Sequence, residues 1–329
     1  RAKEEVADMQ AIADAEAKAG KGPKIVIEPW DYRYYSEKVR KAKYDLDESE
    51  VKPYLQLDKL RDAMFWSAGQ LYDLGFRENT GTIPVFDPKV KTFEVYNLKT
   101  NANVGVLYLD NFARDGKRSG AWMTTYRSEQ GLGGERNVLA SNNNNFTPGA
   151  TLVSLDDAQT LFHEFGHGIH YLLQHVYYPA LAGVPRDFVE YPSQVNENWL
   201  MTPAVLSKFA THYKTGEPMP QALVDKILAS NKFNQGFETV EYLSSAIVDM
   251  KLHDRKVPVT DVDKFERETL AEMGMPKEIV MRHRLPQFGH LFSSDAYSAG
   301  YYSYLWSETM DADTWAAFTE AGGPWDRTV

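Results

Sequence analysis

His163, Glu164 and His167 belong to the pentapeptide His-Glu-Phe-Gly-His. On a helix, two histidines four residues apart project from one face, the spacing that lets two imidazoles grip one metal ion. Glu164 falls about 100° around the helix from His163, beside the ion rather than on it. There it is placed to take a proton from an attacking water. The pattern predicts metal-assisted hydrolysis, most often of a peptide bond, with zinc as the usual ion. Leu161, Phe162, Phe165, Ile169 and Leu172 surround the motif and predict a largely buried helix, in which polar groups need partners that a metal supplies.

Two histidines leave a catalytic zinc site one protein ligand short. The elongated signature that adds a third histidine fails here, because His170 and Leu173 stand at its Gly and His positions. The alternative is a glutamate on a following helix. Glu190 and Glu197, in Asp187-Phe-Val-Glu-Tyr-Pro-Ser-Gln-Val-Asn-Glu-Asn-Trp199, are two turns apart and face the same way. One fits as the ligand and the other as the group that orients a ligand histidine. Their spacing alone leaves open which is which.

The elements that must carry these groups read as mainly α with a small β-sheet. Residues 1–75 read as helices, including an amphipathic start (Val6, Met9, Ile12, Ala13) and segments at 31–44 and 53–74, with Pro53 in a first turn and Gly75 just past an end. Residues 76–150 hold the sheet. Strand-like runs lie at 92–96 and 104–109 around a polar turn, with further candidates at 121–126 and 137–140. The Asn142–Asn145 run reads as a loop. Residues 151–329 are mostly helical. Ser154-Leu-Asp-Asp157 resembles a capping box that starts the metal helix at about residue 155. Later helices are expected at 203–214, 219–230, 238–253, 261–273 and 297–320.

Composition narrows the classes. The 329 residues are 43% hydrophobic and 25% charged, an ordinary globular balance with enough length for a substantial core. A net charge of -10 without a basic run argues against a nucleic-acid surface. No apolar run approaches the roughly 20 residues of a membrane span. The absence of cysteine excludes disulfides and thiolate metal sites. Gly131-Leu-Gly-Gly134 lacks the spacing of a phosphate loop, and no Gly-x-Ser-x-Gly nucleophile elbow occurs. The chain opens on Arg1 and closes on Gly323-Pro-Trp-Asp-Arg-Thr-Val329, which reads as a fragment of a longer protein. The expected compartment is the cytoplasm, with the periplasm as the alternative should a missing N-terminus carry a leader.

Thr160-Leu-Phe-His-Glu-Phe-Gly-His-Gly-Ile-His170, Asp187 to Gln194, Glu197-Asn-Trp199 and Gly300-Tyr-Tyr-Ser-Tyr-Leu-Trp306 resemble the M3 metallopeptidases over nearly the whole chain. Gly120-Ala-Trp-Met123 and Phe233-Asn-Gln-Gly236 look closer to its peptidyl-dipeptidase branch. The resemblance implies a zincin-like catalytic region of thimet oligopeptidase type covering 1–329, with one Zn2+ per chain. It implies His163, His167 and Glu190 as zinc ligands, Glu164 as general base and Glu197 as an orienting group. It also implies short peptides as substrates. A monomer is expected, with neither nucleic acid nor membrane as a partner.

Tyr297, Tyr301 and Tyr304, four and three apart, are expected on one helical face. An aromatic core stripe is the commoner origin of such spacing. With the resemblance, Tyr304 together with Tyr297 or His290 is expected to donate to the developing oxyanion, and Tyr301 to touch substrate. Arg282 and Arg284 are candidates for holding a substrate carboxylate. Gly120 and Ala121 open a candidate edge strand for an extended peptide. The expected reaction is release of C-terminal dipeptides. Endo-acting cleavage is the alternative, and a zinc- or peptide-binding fragment without turnover is a second.

Overall fold

The computed structural model describes residues 1–134 and 137–329. The chain opens with α1 (Ala2–Lys18), α2 (Tyr32–Tyr44) and the single-turn α3 (Glu48–Val51). α4 (Leu57–Tyr72) leads into the strands β1 (Leu74–Glu78), β2 (Lys91–Asn97), β3 (Asn103–Phe112), β4 (Trp122–Arg127) and β5 (Val138–Phe146). Then come α5 (Leu155–Leu172), α6 (Arg186–Val189), α7 (Tyr191–Glu197), α8 (Pro203–Phe209) and α9 (Gln221–Ser230). α10 (Gln235–His253), α11 (Val262–Glu272), α12 (Gly289–Phe292) and α13 (Ser303–Ala321) complete the described elements. The fold is mainly α with a small sheet. Among the described residues, no helix is long and apolar enough to cross a membrane.

These elements form two compact units that interleave in sequence. The first comprises Arg1–Asp47 and Pro220–Ser303. Its core joins α1, α2 and α10 through Met9, Ala13, Tyr32, Val39 and Phe237, with Tyr32 stacked on Phe237 at 4.0 Å between ring centroids. The Glu5 carboxylate accepts from the Gly236 and Phe237 N–H groups at 2.9 and 2.8 Å, which satisfies the first turn of α10 and favours its positive dipole end.

The second unit comprises Glu48–Met219 and Tyr304–Val329. Its five strands run in the order β1-β2-β3-β5-β4, antiparallel except for the parallel β3–β5 pair. β1 and β4 are therefore the edges. α4 and α5 pack on this sheet through Phe65, Phe76, Phe93 and Phe165. Trp199 is buried against Trp315 and Phe318 of α13 and donates its indole N–H to the Pro324 carbonyl at 2.8 Å.

Several expectations change. Lys52–Tyr54 is a separate 3-10 turn rather than the start of α4, so Pro53 stands outside that helix. α4 ends on Asp73 in a left-handed conformation (φ 57). Gly75 lies in β1, where a Cβ would come 2.4 Å from the Tyr96 ring. The Asn142–Asn145 run is no loop. It occupies β5, between β3 and β4, with Asn142, Asn143 and Asn144 buried. Partners from neighbouring elements offset their desolvation: Asn143 Nδ2 donates to the Trp122 carbonyl and Asn144 Nδ2 to Asn111 Oδ1, both at 3.0 Å.

Candidate active site

α5 begins with a capping box: Asp157 N–H donates to Ser154 Oγ at 3.0 Å and Ser154 N–H to Asp157 Oδ2 at 3.1 Å. From that start, helical geometry carries His163 and His167 to one face, their rings edge to face with centroids 4.9 Å apart. α7 packs against α5 in close approach because Gly166 has no side chain. Asn196 Nδ2 donates across this contact to the Phe162 carbonyl at 2.7 Å, and Ser193 Oγ donates to the Glu190 carbonyl at 2.7 Å.

The approach brings both glutamates to the histidines. Glu190 Oε2 lies 3.3 Å from His163 Nε2 and 3.1 Å from His167 Nε2. Glu197 Oε1 instead meets the other ring nitrogen of His163, Nδ1, at 2.6 Å. Gln159 Nε2 donates to the second Glu197 oxygen. His163, His167 and Glu190 can each offer one ligand atom, all within 4.8 Å of one another. Two imidazole nitrogens and one carboxylate oxygen are the donor set of a catalytic zinc site. Among the described residues, this is the group that fits such an ion.

The electrostatics fit a bound cation. Burial opposes a charge on His163, yet hydrogen bonds with Glu190 and Glu197 override it and push its pKa up to about 10. Burial likewise opposes charge on Glu190, but His163 and His167 hold its carboxyl well below the usual carboxylate range. The carboxylates of Glu190 and Glu197 beside His163 favour positive charge at this place. Glu164 is different. It is buried, its Oε2 meets no hydrogen-bond partner among the described residues, and burial raises its pKa despite the two histidines.

Asn142, on β5, donates its Nδ2 to the Glu164 carbonyl and packs against Gly168, where a Cβ would come 3.1 Å from Asn142 Oδ1. Sequence reasoning missed this contact. The available signal was a run of asparagines following a strand-like segment, unusual unless each amide has a partner. Asn145 Nδ2 donates to the Arg118 and Gly120 carbonyls, both at 2.7 Å, and so anchors the entry to edge strand β4. Gly120 takes φ +83 there, with Ala121 between it and β4.

Tyr304 lies in the second unit on α13, its carbonyl accepting from Gln194 Nε2 at 3.1 Å. His290, Tyr297 and Tyr301 gather in the first unit. The His290 ring is 5.4 Å from each tyrosine ring, and Tyr301 also meets Phe288 at 4.9 Å. The three tyrosines do not share a helical face. Tyr297 to Tyr302 form turns, α13 begins at Ser303, and Ala299 has φ 53, which breaks the helical run. Arg284 is engaged by Glu266 at 2.8 Å and Asp263 at 2.7 Å. Arg282 lines a small cleft with Arg33, Glu241 and Glu278.

The profile of peptidase family M3 matches residues 1–329. This chain belongs to peptidase family M3. It is 39% identical to the dipeptidyl carboxypeptidase of Escherichia coli K12, over 98% of this chain and 48% of that protein. Oligopeptidase A of the same organism is 34% identical, over 97% of this chain and 47% of its own length. Saccharolysin of Saccharomyces cerevisiae is 29% identical, over 93% and 45%. The M3 chain thus spans about half the length of the curated relatives it matches.

Acidic residues of this M3 chain also surround Glu197 from α13. Burial, with Glu197 and Glu308 adding to it, pushes Asp311 up to about 6, although Asn198 Nδ2 donates to its Oδ1 at 2.7 Å. The folded pKa exceeds the usual aspartate value of 3.8, so folding favours the protonated form. Its stabilising effect is complete below pH 3.8 and is lost as pH rises through about 6. Asp311→Asn keeps the acceptor for Asn198 and removes the charge. Allowing for partial solvent contact, the substitution is expected to add about 1 kcal/mol at pH 8 and nothing at pH 3. Thermal unfolding at both pH values checks this; an equal effect at the two would refute the charge argument.

Proposed function

We propose that this chain is the metal-bearing part of a zinc peptidase that removes dipeptides from the free C-terminus of short peptides. The observation that carries the reading is the His163–His167–Glu190 donor set with Glu164 beside it on the same buried helix. Membership of family M3 supports peptide-bond hydrolysis, and the name of the Escherichia coli relative supports the dipeptide specificity.

His163, His167 and Glu190 would hold a zinc ion, which when bound would supply Lewis acidity for activating water. Glu164 takes the proton of the attacking water and delivers it to the leaving amine. Burial raises its pKa, which strengthens the carboxylate as a proton acceptor. Glu197 accepts the Nδ1–H of His163 and thereby directs the Nε2 lone pair at the cation. Tyr304, Tyr297 and His290 are assigned as donors to the oxyanion, and Tyr301 as a substrate contact. Edge strand β4, entered through Gly120 and Ala121, offers its outer main-chain edge to an extended peptide. Arg282 is assigned the substrate carboxylate. Arg284, tied to two acids, is the poorer candidate.

The similarity to oligopeptidase A favours endo-acting cleavage as the second reading. Mass spectrometry of the products from one short peptide, offered to the full-length protein with a free and with an amidated C-terminus, separates the two. Dipeptide release from the free form alone is the expected result. Internal cleavage of both forms would replace the dipeptide reading with the endo-acting one.

A further inference from the structure

Asp249 lies near the end of α10 and is fully buried. A buried carboxylate is unfavourable unless its oxygens are hydrogen-bonded. Here the two oxygens are divided between two main-chain donors of one segment. Ala299 N–H donates to Oδ1 at 3.0 Å and Tyr301 N–H to Oδ2 at 2.9 Å. His253, one turn along α10, places Nδ1 2.8 Å from Oδ1. Tyr242, two turns back on α10, donates its hydroxyl to the Tyr301 carbonyl. A single face of α10 therefore holds both main-chain groups of Tyr301 and the N–H of Ala299.

That segment needs holding. Ala299 has φ 53, in the left-handed region where a Cβ crowds the backbone. On either side of it stand Tyr297 and Tyr301, whose rings flank His290. Relaxation of Ala299 to a right-handed conformation would turn Tyr297 away from its present arrangement with Tyr301 and His290. A non-glycine residue kept in this region by a buried side chain 50 residues away in sequence is strain that the surrounding structure maintains.

We propose that Asp249 is a positioning residue for peptide hydrolysis: it clamps the strained Tyr297–Tyr301 turn so that both tyrosines and His290 keep one arrangement. The inference rests on the proposed roles of those three residues. Asp249 itself touches no substrate. Its effect passes through main-chain hydrogen bonds to the turn that carries Tyr297, an assigned oxyanion donor, and so it bears on the rate of the chemical step.

Asp249→Asn tests this in the full-length protein, because the amide has one acceptor oxygen for two main-chain donors. The expected result is a kcat lowered about 10- to 100-fold with KM within about threefold of the parent. Zinc content should be unchanged, and hydrogen exchange should accelerate over residues 296–302. Adding Ala299→Gly should restore at least about fivefold of the lost kcat, since glycine takes a positive φ without strain. Parental kcat and parental exchange in Asp249→Asn would overturn the proposal. So would a kcat loss that Ala299→Gly fails to relieve, which marks Asp249 as a fold element only. Should Asp249→Asn not fold, His253→Ala serves instead. A kcat lowered about 3- to 10-fold supports the clamp, and an unchanged kcat overturns it. Tyr297→Phe and Tyr301→Phe with His290→Ala make the separation. Unimpaired activity in these variants removes the reading on which the inference rests, whereas impaired activity beside a normal Asp249→Asn overturns the inference alone.

Discussion

Glu164→Gln in the full-length protein is expected to lower kcat by about 10²- to 10⁴-fold while zinc content stays at the parental value. The substitution is nearly isosteric and leaves the helix untouched. The main-chain carbonyl of residue 164 still accepts from Asn142 Nδ2. What it removes is the carboxylate assigned to take a proton and return it. The His163, His167 and Glu190 atoms that would hold the ion are unaffected, so metal binding and turnover separate in this variant. Stability should not fall. Burial of the Glu164 carboxyl raises its pKa above 4.5, so the metal-free protein loses stability as pH rises through that raised value, and the neutral amide avoids this loss. Steady-state kinetics with metal analysis on the same preparation check the prediction. A kcat within a few-fold of the parent would assign proton transfer to another residue.

Gly166→Ala is expected to weaken zinc binding by about 10- to 100-fold although residue 166 touches no metal. A Cβ there would lie 2.7 Å from Ser193 Cα, 2.8 Å from Asn196 Cβ and 3.1 Å from the Pro192 carbonyl. Two of those contacts are with the α7 backbone, which cannot swing aside as a flexible side chain can. Helix propensity would favour alanine by about 1 kcal/mol, but overpacking costs about 1–3 kcal/mol and decides the sign. α7 must move off α5, and it carries both glutamates: Glu190 immediately before its first residue and Glu197 at its last. The 3.1 and 3.3 Å separations between Glu190 and the two Nε2 atoms then open, as does the Glu197–His163 contact. Competition against a chelator of known affinity measures the loss, and thermal unfolding measures the strain. Parental zinc affinity would mean that the ligand geometry does not depend on this helix contact. Gly183→Ala, in open space by comparison, should change neither quantity.

Much of the centre is legible in the sequence because its geometry is local. A 3.6-residue period places His163, Glu164 and His167 around one helix whatever the rest of the chain does. The Ser154–Asp157 capping box sets where that helix starts, and the two-turn interval between Glu190 and Glu197 turns both the same way. The strand runs at 92–96 and 104–109 are likewise marked by their own side chains. The remaining features depend on partners far away in sequence. Only the packing of α7 on α5 at Gly166 decides that Glu190 reaches both Nε2 atoms while Glu197 reaches Nδ1. Only the neighbouring strands and α5 turn the Asn142–Asn145 run from an expected loop into a buried strand, by meeting its amides. Asp249 and Tyr242, some 50 to 60 residues upstream, bond the main chain of the turn in which Ala299 is left-handed, and this turn keeps Tyr297 and Tyr301 off the helix that their spacing suggests. Helical periodicity is a property of consecutive residues, whereas buried polar groups and strained turns take their stability from whatever tertiary contacts satisfy them.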